Sequence, residues 1–158
     1  MKKIKNSKGF TLMEMLIVVA IIAVLVAIAI PTFTTSLNKA RVATDQANIR
    51  SGYASVMAEI LTNQYDDATN GTTPTTYWLL NDGGVEAAAN APTNAYVCKG
   101  DSSKVFTNGK TPEIAGRTVA NWDNNKNISY TYVPVGNTPQ GGTASTAIDV
   151  QINVVPKN

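Results

Sequence analysis

The chain opens with one continuous apolar segment. Residues 10–30 are almost entirely apolar, and ~20 consecutive apolar residues of helix are enough to cross the core of a bilayer. The pattern therefore predicts a membrane-spanning helix. Glu14 is the exception near its start. A carboxylate at the centre of such a helix costs roughly 2.5–3.5 kcal/mol on insertion scales, and less near the interface, so its presence calls for a reason.

Helical periodicity resumes after Pro31 and forms two apolar stripes. One stripe contains Leu37, Ala40, Ala47, Ala54, Ala58 and Leu61, and the other contains Val42, Ile49, Tyr53, Val56 and Ile60. Arg41 and Asp45 are expected on the remaining polar face, at the i,i+4 spacing that favours an ion pair. An apolar stripe of ~100° or somewhat more suffices for packing on one core. The wider arc favours contacts on two sides, with the chain's own domain and with other copies. A helix fully buried in a small domain is the alternative.

The two segments together predict one long helix over residues 10–61. Because Pro31 lacks an amide hydrogen and its ring clashes with the preceding turn, it is expected to kink or open the helix locally. At 1.5 Å per residue the helix would measure ~78 Å, far more than a compact domain of this size needs. Its first half is therefore expected to protrude.

From Thr62 the composition changes to Thr, Asn, Gly and Pro, and short elements are expected. Residues 77–80 form one candidate element, and residues 85–89 are a candidate helical turn. Strands are predicted at 96–98, 104–106, 128–135 and 147–155. The last two alternate most clearly, so they are predicted to pair as antiparallel neighbours joined by residues 136–145. The expected fold is α+β: a long N-terminal helix packed by its second half against a small antiparallel sheet.

Charge and composition restrict the chemistry. Lys2, Lys3, Lys5 and Lys8 precede the apolar segment, and the rest of the chain has nine Lys and Arg residues against eleven Asp and Glu residues, a net charge of −2. Such a body gives no electrostatic case for binding nucleic acid. The chain has no histidine and one cysteine, Cys98. This excludes His/Cys zinc sites, catalytic groupings that need histidine, and an intramolecular disulfide. No metal, cofactor or enzymatic activity is predicted, and Cys98 is expected to be a buried hydrophobe.

Three interpretations of the N-terminus are possible. A secretory signal has a basic start and a cleavage site of small residues, but its apolar core is usually shorter, about 7–15 residues. A simple membrane anchor would have its N-terminus inside and its body outside, by the positive-inside rule. The third interpretation accounts for the glycine, the aromatic residue and the glutamate together. The stretch KGFTLME, residues 8–14, resembles the class III signal of type IV pilins and type II secretion pseudopilins.

The resemblance implies a processing pathway and a set of site residues. In that family a prepilin peptidase cuts after the glycine, here between Gly9 and Phe10, and methylates the new N-terminal residue, here Phe10. Pro31 falls where the family commonly has a helix-disturbing proline. The amine of Phe10 and the Glu14 carboxylate of a neighbouring subunit would then neutralise one another in an apolar bundle. Glu14 would set the register of docking, because a buried charge that lacks its partner is strongly destabilising.

The function implied is that of a structural subunit of a type IV pilus, a helical homopolymer with roles such as motility, adhesion, DNA uptake or aggregation. Before assembly it would be a single-pass protein of the cytoplasmic membrane, N-terminus inside, in contact with lipid, the prepilin peptidase and the assembly machinery. Residues 1–9 would be a leader, 10–31 the membrane and filament-core helix, 32–61 its amphipathic continuation, and 62–158 the head. The lone cysteine favours a Gram-positive pilin or a pseudopilin. A pseudopilin or minor pilin and a non-polymerising anchored binding domain are the alternatives.

Overall fold

In the computed structural model of this chain, the described residues are 9–63, 75–133 and 149–157. The chain divides into two compact units, Met1–Leu37 and Asn38–Asn158. Helix α1, Leu12–Asn63, belongs to both. The predicted long helix is confirmed, with bounds that differ by two residues at each end.

The first unit contains the apolar part of α1. Its large apolar side chains are exposed from Phe10 to Leu37, and α1 is the one helix among the described residues that is long and apolar enough to cross a membrane. The helix runs through Pro31 without a break. Thr32, Thr34, Thr35 and Ser36 donate their hydroxyls to carbonyls three or four residues earlier, including that of Pro31, and this satisfies polar groups within the helix itself.

The second unit contains the second half of α1 and the head. The main sheet of the head consists of strands β1 (Thr75–Leu79), β2 (Val85–Ala87), β5 (Lys126–Val133) and β6 (Asp149–Pro156). Their order in the sheet is β2-β1-β5-β6, and all neighbours are antiparallel. A separate two-stranded sheet pairs β3 (Glu113–Ile114) with β4 (Arg117–Thr118). The predicted pairing of the last two strands is confirmed: Tyr130 lies opposite Ile152. Their connection, residues 136–145, lies outside the described residues.

The core of the head forms between α1 and the main sheet. The second apolar stripe of the helix is buried there, and Val42, Ile49, Val56 and Ile60 pack with Leu79, Ile128 and Tyr130. The Tyr130 hydroxyl donates to the Ile49 carbonyl at 2.8 Å. Gly52 allows this approach, because an added Cβ at that position would collide with the Tyr130 ring and hydroxyl. The expected α+β fold, a long helix with a small antiparallel sheet, is confirmed.

Three predictions for short elements are wrong. Residues 85–87 form strand β2 rather than a helical turn, because they pair with β1. Residues 96–98 do not form a regular strand and contribute one isolated bridge, Val97 to Asn127. In place of the strand at 104–106, a 3₁₀ helix spans Ser102–Lys104, with Asp101 as its N-cap. In each case tertiary pairing or a side-chain cap overrides a short local pattern, which carries little information by itself.

The predicted position of Asp45 is also wrong. The helical pattern places it on the polar face, paired with Arg41, but it is fully buried and accepts hydrogen bonds from Tyr96, Lys99, Gly100 and Trp122. Cys98 is buried, as expected, and burial raises the pKa of its thiol.

Candidate processing and assembly site

The sequence-predicted site residues lie on the exposed first unit. Gly9 and Phe10 precede α1, and Phe10 is 80% exposed. Glu14 lies in the first turn and Pro31 lies inside the helix, about five turns further on. The structure therefore brings Gly9, Phe10 and Glu14 together at one end of the helix and leaves Pro31 apart from them.

Glu14 has a partner that the sequence analysis missed. Its Oε2 atom accepts hydrogen bonds from the Thr11 amide and the Thr11 hydroxyl, both at 2.8 Å. In return, the Glu14 amide donates to Thr11 Oγ1 at 3.2 Å. This reciprocal arrangement is a capping box, which satisfies two amides that a helix start otherwise leaves without partners. Thr11 and Glu14 match its S/T-x-x-E signature, so the pair could have been found in the sequence.

The first turn also has favourable electrostatics for a carboxylate. The positive end of the helix dipole lies at the N-terminus, where an acidic side chain is stabilising, and Glu14 is the acidic residue of that turn. Thr11 and Glu14 are both exposed in the single chain. The Glu14 side chain is therefore held within the turn by its own helix while the surrounding apolar surface remains uncovered.

A second feature lies on the second unit, along the exposed side of α1. The small residues of the first stripe, Ala40, Ala47, Ala54 and Ala58, are exposed, so among the described residues only the second apolar stripe is buried against the sheet. Ala47 and Ala54 line an open groove of about 540 Å³ together with Gln46, Arg50, Ser51, Glu113 and Ile114. The groove is therefore bordered by α1 on one side and by β3 on the other.

The buried carboxylate of Asp45 fastens the segment after Cys98 to the helix. Its Oδ1 accepts from the Tyr96 hydroxyl at 2.6 Å, and its Oδ2 accepts from the Gly100 amide at 2.8 Å and from Trp122 Nε1 at 3.1 Å. The Lys99 amide reaches both oxygens, at 3.0 and 3.1 Å. Burial, together with the hydrogen bond to Asp45, raises the pKa of Tyr96.

Asn38 and Gly100 complete this attachment. The Asn38 amide side chain exchanges two hydrogen bonds with the Asp101 backbone, at 2.9 and 2.8 Å. Gly100 lies so close to α1 that an added Cβ would come within 2.6 Å of the Val42 amide nitrogen. All four donors around Asp45 are satisfied by one carboxylate, so the arrangement has a structural role, and it offers no reacting group.

Comparisons with known proteins agree with the N-terminal geometry. Residues 4–30 match the family model described as the prokaryotic N-terminal methylation motif. The chain is 35% identical over 103 residues to the type IV narrow pilus major component PilA5 of Thermus thermophilus, an alignment that covers 58% of this chain and 85% of that protein. No solved structure matches. Neither the family model nor the Thermus relative supports the interpretation of the lone cysteine as a Gram-positive feature. With a methylation motif at its N-terminus and a pilin relative matched over most of that relative's length, the chain belongs to the type IV pilin family.

Proposed function

We propose that this protein is a structural subunit of a type IV pilus, polymerised from the membrane into a surface fibre. The observation that carries the proposal is the exposed apolar helix with a single carboxylate in its first turn. So large an apolar surface needs lipid or other copies to cover it. A head-to-tail contact that does not close into a ring generates a helical polymer. Pilins are structural proteins, and the role has no enzymatic step of its own.

Processing would separate residues 1–9 from the mature chain. Hydrolysis of the Gly9–Phe10 peptide bond leaves a carboxylate on Gly9 and a free amine on Phe10. The amine would then take a methyl group from a methyl-donor cosubstrate of the peptidase, with loss of a proton. Both residues lie ahead of the helix start, Leu12, where backbone outside the helix is accessible to a protease. The basic leader holds this end on the cytoplasmic side by the positive-inside rule.

Residues 10–31 would then cross the membrane and later form the core of the filament, with residues 32–61 as the continuing helix and 62–158 as the head. Within the core, Glu14 would pair with the Phe10 amine of a neighbouring subunit and so fix the register of docking. The exposed alanine stripe of α1, which the chain's own core leaves uncovered, would supply the second contact surface.

The test is to measure cleavage and sheared-filament yield together for wild type and for Glu14→Gln. The cut is five residues away, so the variant should be cleaved normally and accumulate in the membrane. Filament yield should fall sharply, because each docked subunit would bury an unpaired ammonium group. Normal filaments from the cleaved variant would contradict the charge-pairing role. The absence of filaments from the wild type, with the uncleaved chain displayed at the surface, would favour a non-polymerising anchor.

A further inference from the structure

The Glu14 carboxylate accepts two hydrogen bonds from Thr11, both through a single oxygen. The Thr11 amide and hydroxyl both donate to Oε2, so the other carboxylate oxygen, Oε1, takes no part in this pair. The contact also survives processing, since the proposed cut lies before Phe10 and leaves the Thr11 amide intact. The carboxylate is therefore anchored through Oε2, and Oε1 accepts no hydrogen bond from the part of the chain that the structure describes.

This inference rests on the proposed function, in which Glu14 receives the Phe10 amine of a neighbour. We infer that Thr11 is a positioning residue for that contact: it fixes the Glu14 side chain through Oε2 so that Oε1 faces the incoming ammonium group. A free glutamate side chain loses considerable rotamer freedom when it is ordered. Because Thr11 orders the Glu14 side chain within the subunit, the carboxylate already has its binding conformation when docking begins.

The chemistry of Thr11 sets the requirements for substitution. Serine keeps the hydroxyl, which both donates to Oε2 and accepts from the Glu14 amide. Valine keeps the branched shape of threonine and removes the hydroxyl. Aspartate is among the strongest N-cap residues, so it preserves capping of the helix but places a second anion beside Glu14.

The experiment compares the full chain carrying Thr11→Ser, Thr11→Val, Thr11→Asp and Glu14→Gln in cells that assemble the filament. Sheared-filament yield is divided by the amount of cleaved subunit in the membrane, which removes any effect of residue 11 on the peptidase. Thr11→Ser should match wild type. Thr11→Val should lower the normalised yield about tenfold, as expected when a hydrogen bond to a charged group is lost, and Thr11→Asp should lower it at least as much.

The outcomes separate this inference from the proposed function. If Glu14→Gln abolishes assembly while Thr11→Val assembles like wild type, the positioning role is wrong and the Glu14 pairing stands. If Thr11→Asp assembles normally, Thr11 acts only as a helix cap, and the inference is also overturned. If the cleaved Glu14→Gln variant assembles normally, both the pairing and the positioning role are wrong.

Discussion

Asp45 provides the sharpest test of how the head is held on its helix. The perturbation is Asp45→Asn, which keeps the size of the side chain and replaces one oxygen by an amide NH₂. With the NH₂ at the Oδ1 position, the Tyr96 hydroxyl can turn and accept, and the remaining oxygen still faces the Gly100 amide and Trp122 Nε1. With the NH₂ at Oδ2, those two donors face a donor, so the first orientation is favoured.

Even in the favoured orientation the negative charge is lost. Hydrogen bonds to a charged group contribute about 1.5–3 kcal/mol each, against about 0.5–1.5 kcal/mol for neutral pairs. The donors that remain paired exchange a charged acceptor for a neutral one. Summed over these hydrogen bonds, the difference lowers the free energy of unfolding by about 2–4 kcal/mol. A typical domain has only about 5–15 kcal/mol in total. With a urea m-value of about 1.5 kcal/mol/M, the midpoint should fall by roughly 1.3–2.7 M.

The assay is urea unfolding of a fragment of residues 32–158, monitored by tryptophan fluorescence and far-UV circular dichroism. Of the two tryptophans, Trp78 and Trp122, Trp122 is buried against Asp45, so its share of the emission reports on the site. Asp82→Asn is the matched control, since Asp82 is exposed and accepts a hydrogen bond from the Gly84 amide. Its effect should remain within about 0.5 kcal/mol. An Asp45→Asn midpoint equal to that of the control would refute the reasoning.

Three further predictions concern processing, solubility and pH. Gly9→Val should leave the leader attached and the protein in the membrane, because the peptidase requires a small residue at the cut; filaments of normal yield from uncleaved protein would contradict this. The fragment 32–158 should be soluble and monomeric by light scattering, because the apolar helix is removed and the second stripe of α1 is buried on the sheet; a need for detergent would show that the assembly surfaces were misplaced. Burial raises the pKa values of Cys98, Tyr96 and Tyr130 in the folded state. In the unfolded chain these groups have pKa values of about 8.5 for Cys and about 10 for Tyr, so above those pH values the unfolded chain binds fewer protons than the folded chain. Stability should therefore fall as pH rises, by about 1.4 kcal/mol per pH unit for each group, and Cys98→Ala should remove the part of this loss between about pH 8.5 and 10.

The sequence by itself determined the features that depend on local chemistry and on long, regular patterns. The apolar run from residue 10 to 30 predicts an exposed helix because its length and composition suit a bilayer. Strands β5 and β6 were predicted correctly because their side chains alternate over many residues, so one face must be buried. The Thr11–Glu14 capping box was missed, but it could have been found in the same way, since its two residues lie within one turn and match the signature.

Only the tertiary structure decided which helix stripe is buried and how Asp45 is used. Both apolar stripes of α1 have helical spacing, but just one contains the large residues Val42, Ile49 and Val56 that fill the space above the sheet, while the alanines of the other remain exposed. Asp45 looks like a surface residue in the sequence because carboxylates are rarely fully buried. Its donors come from residues 51 to 77 positions away. These contacts form only when the loops fold back onto the helix, so no local sequence pattern predicts them.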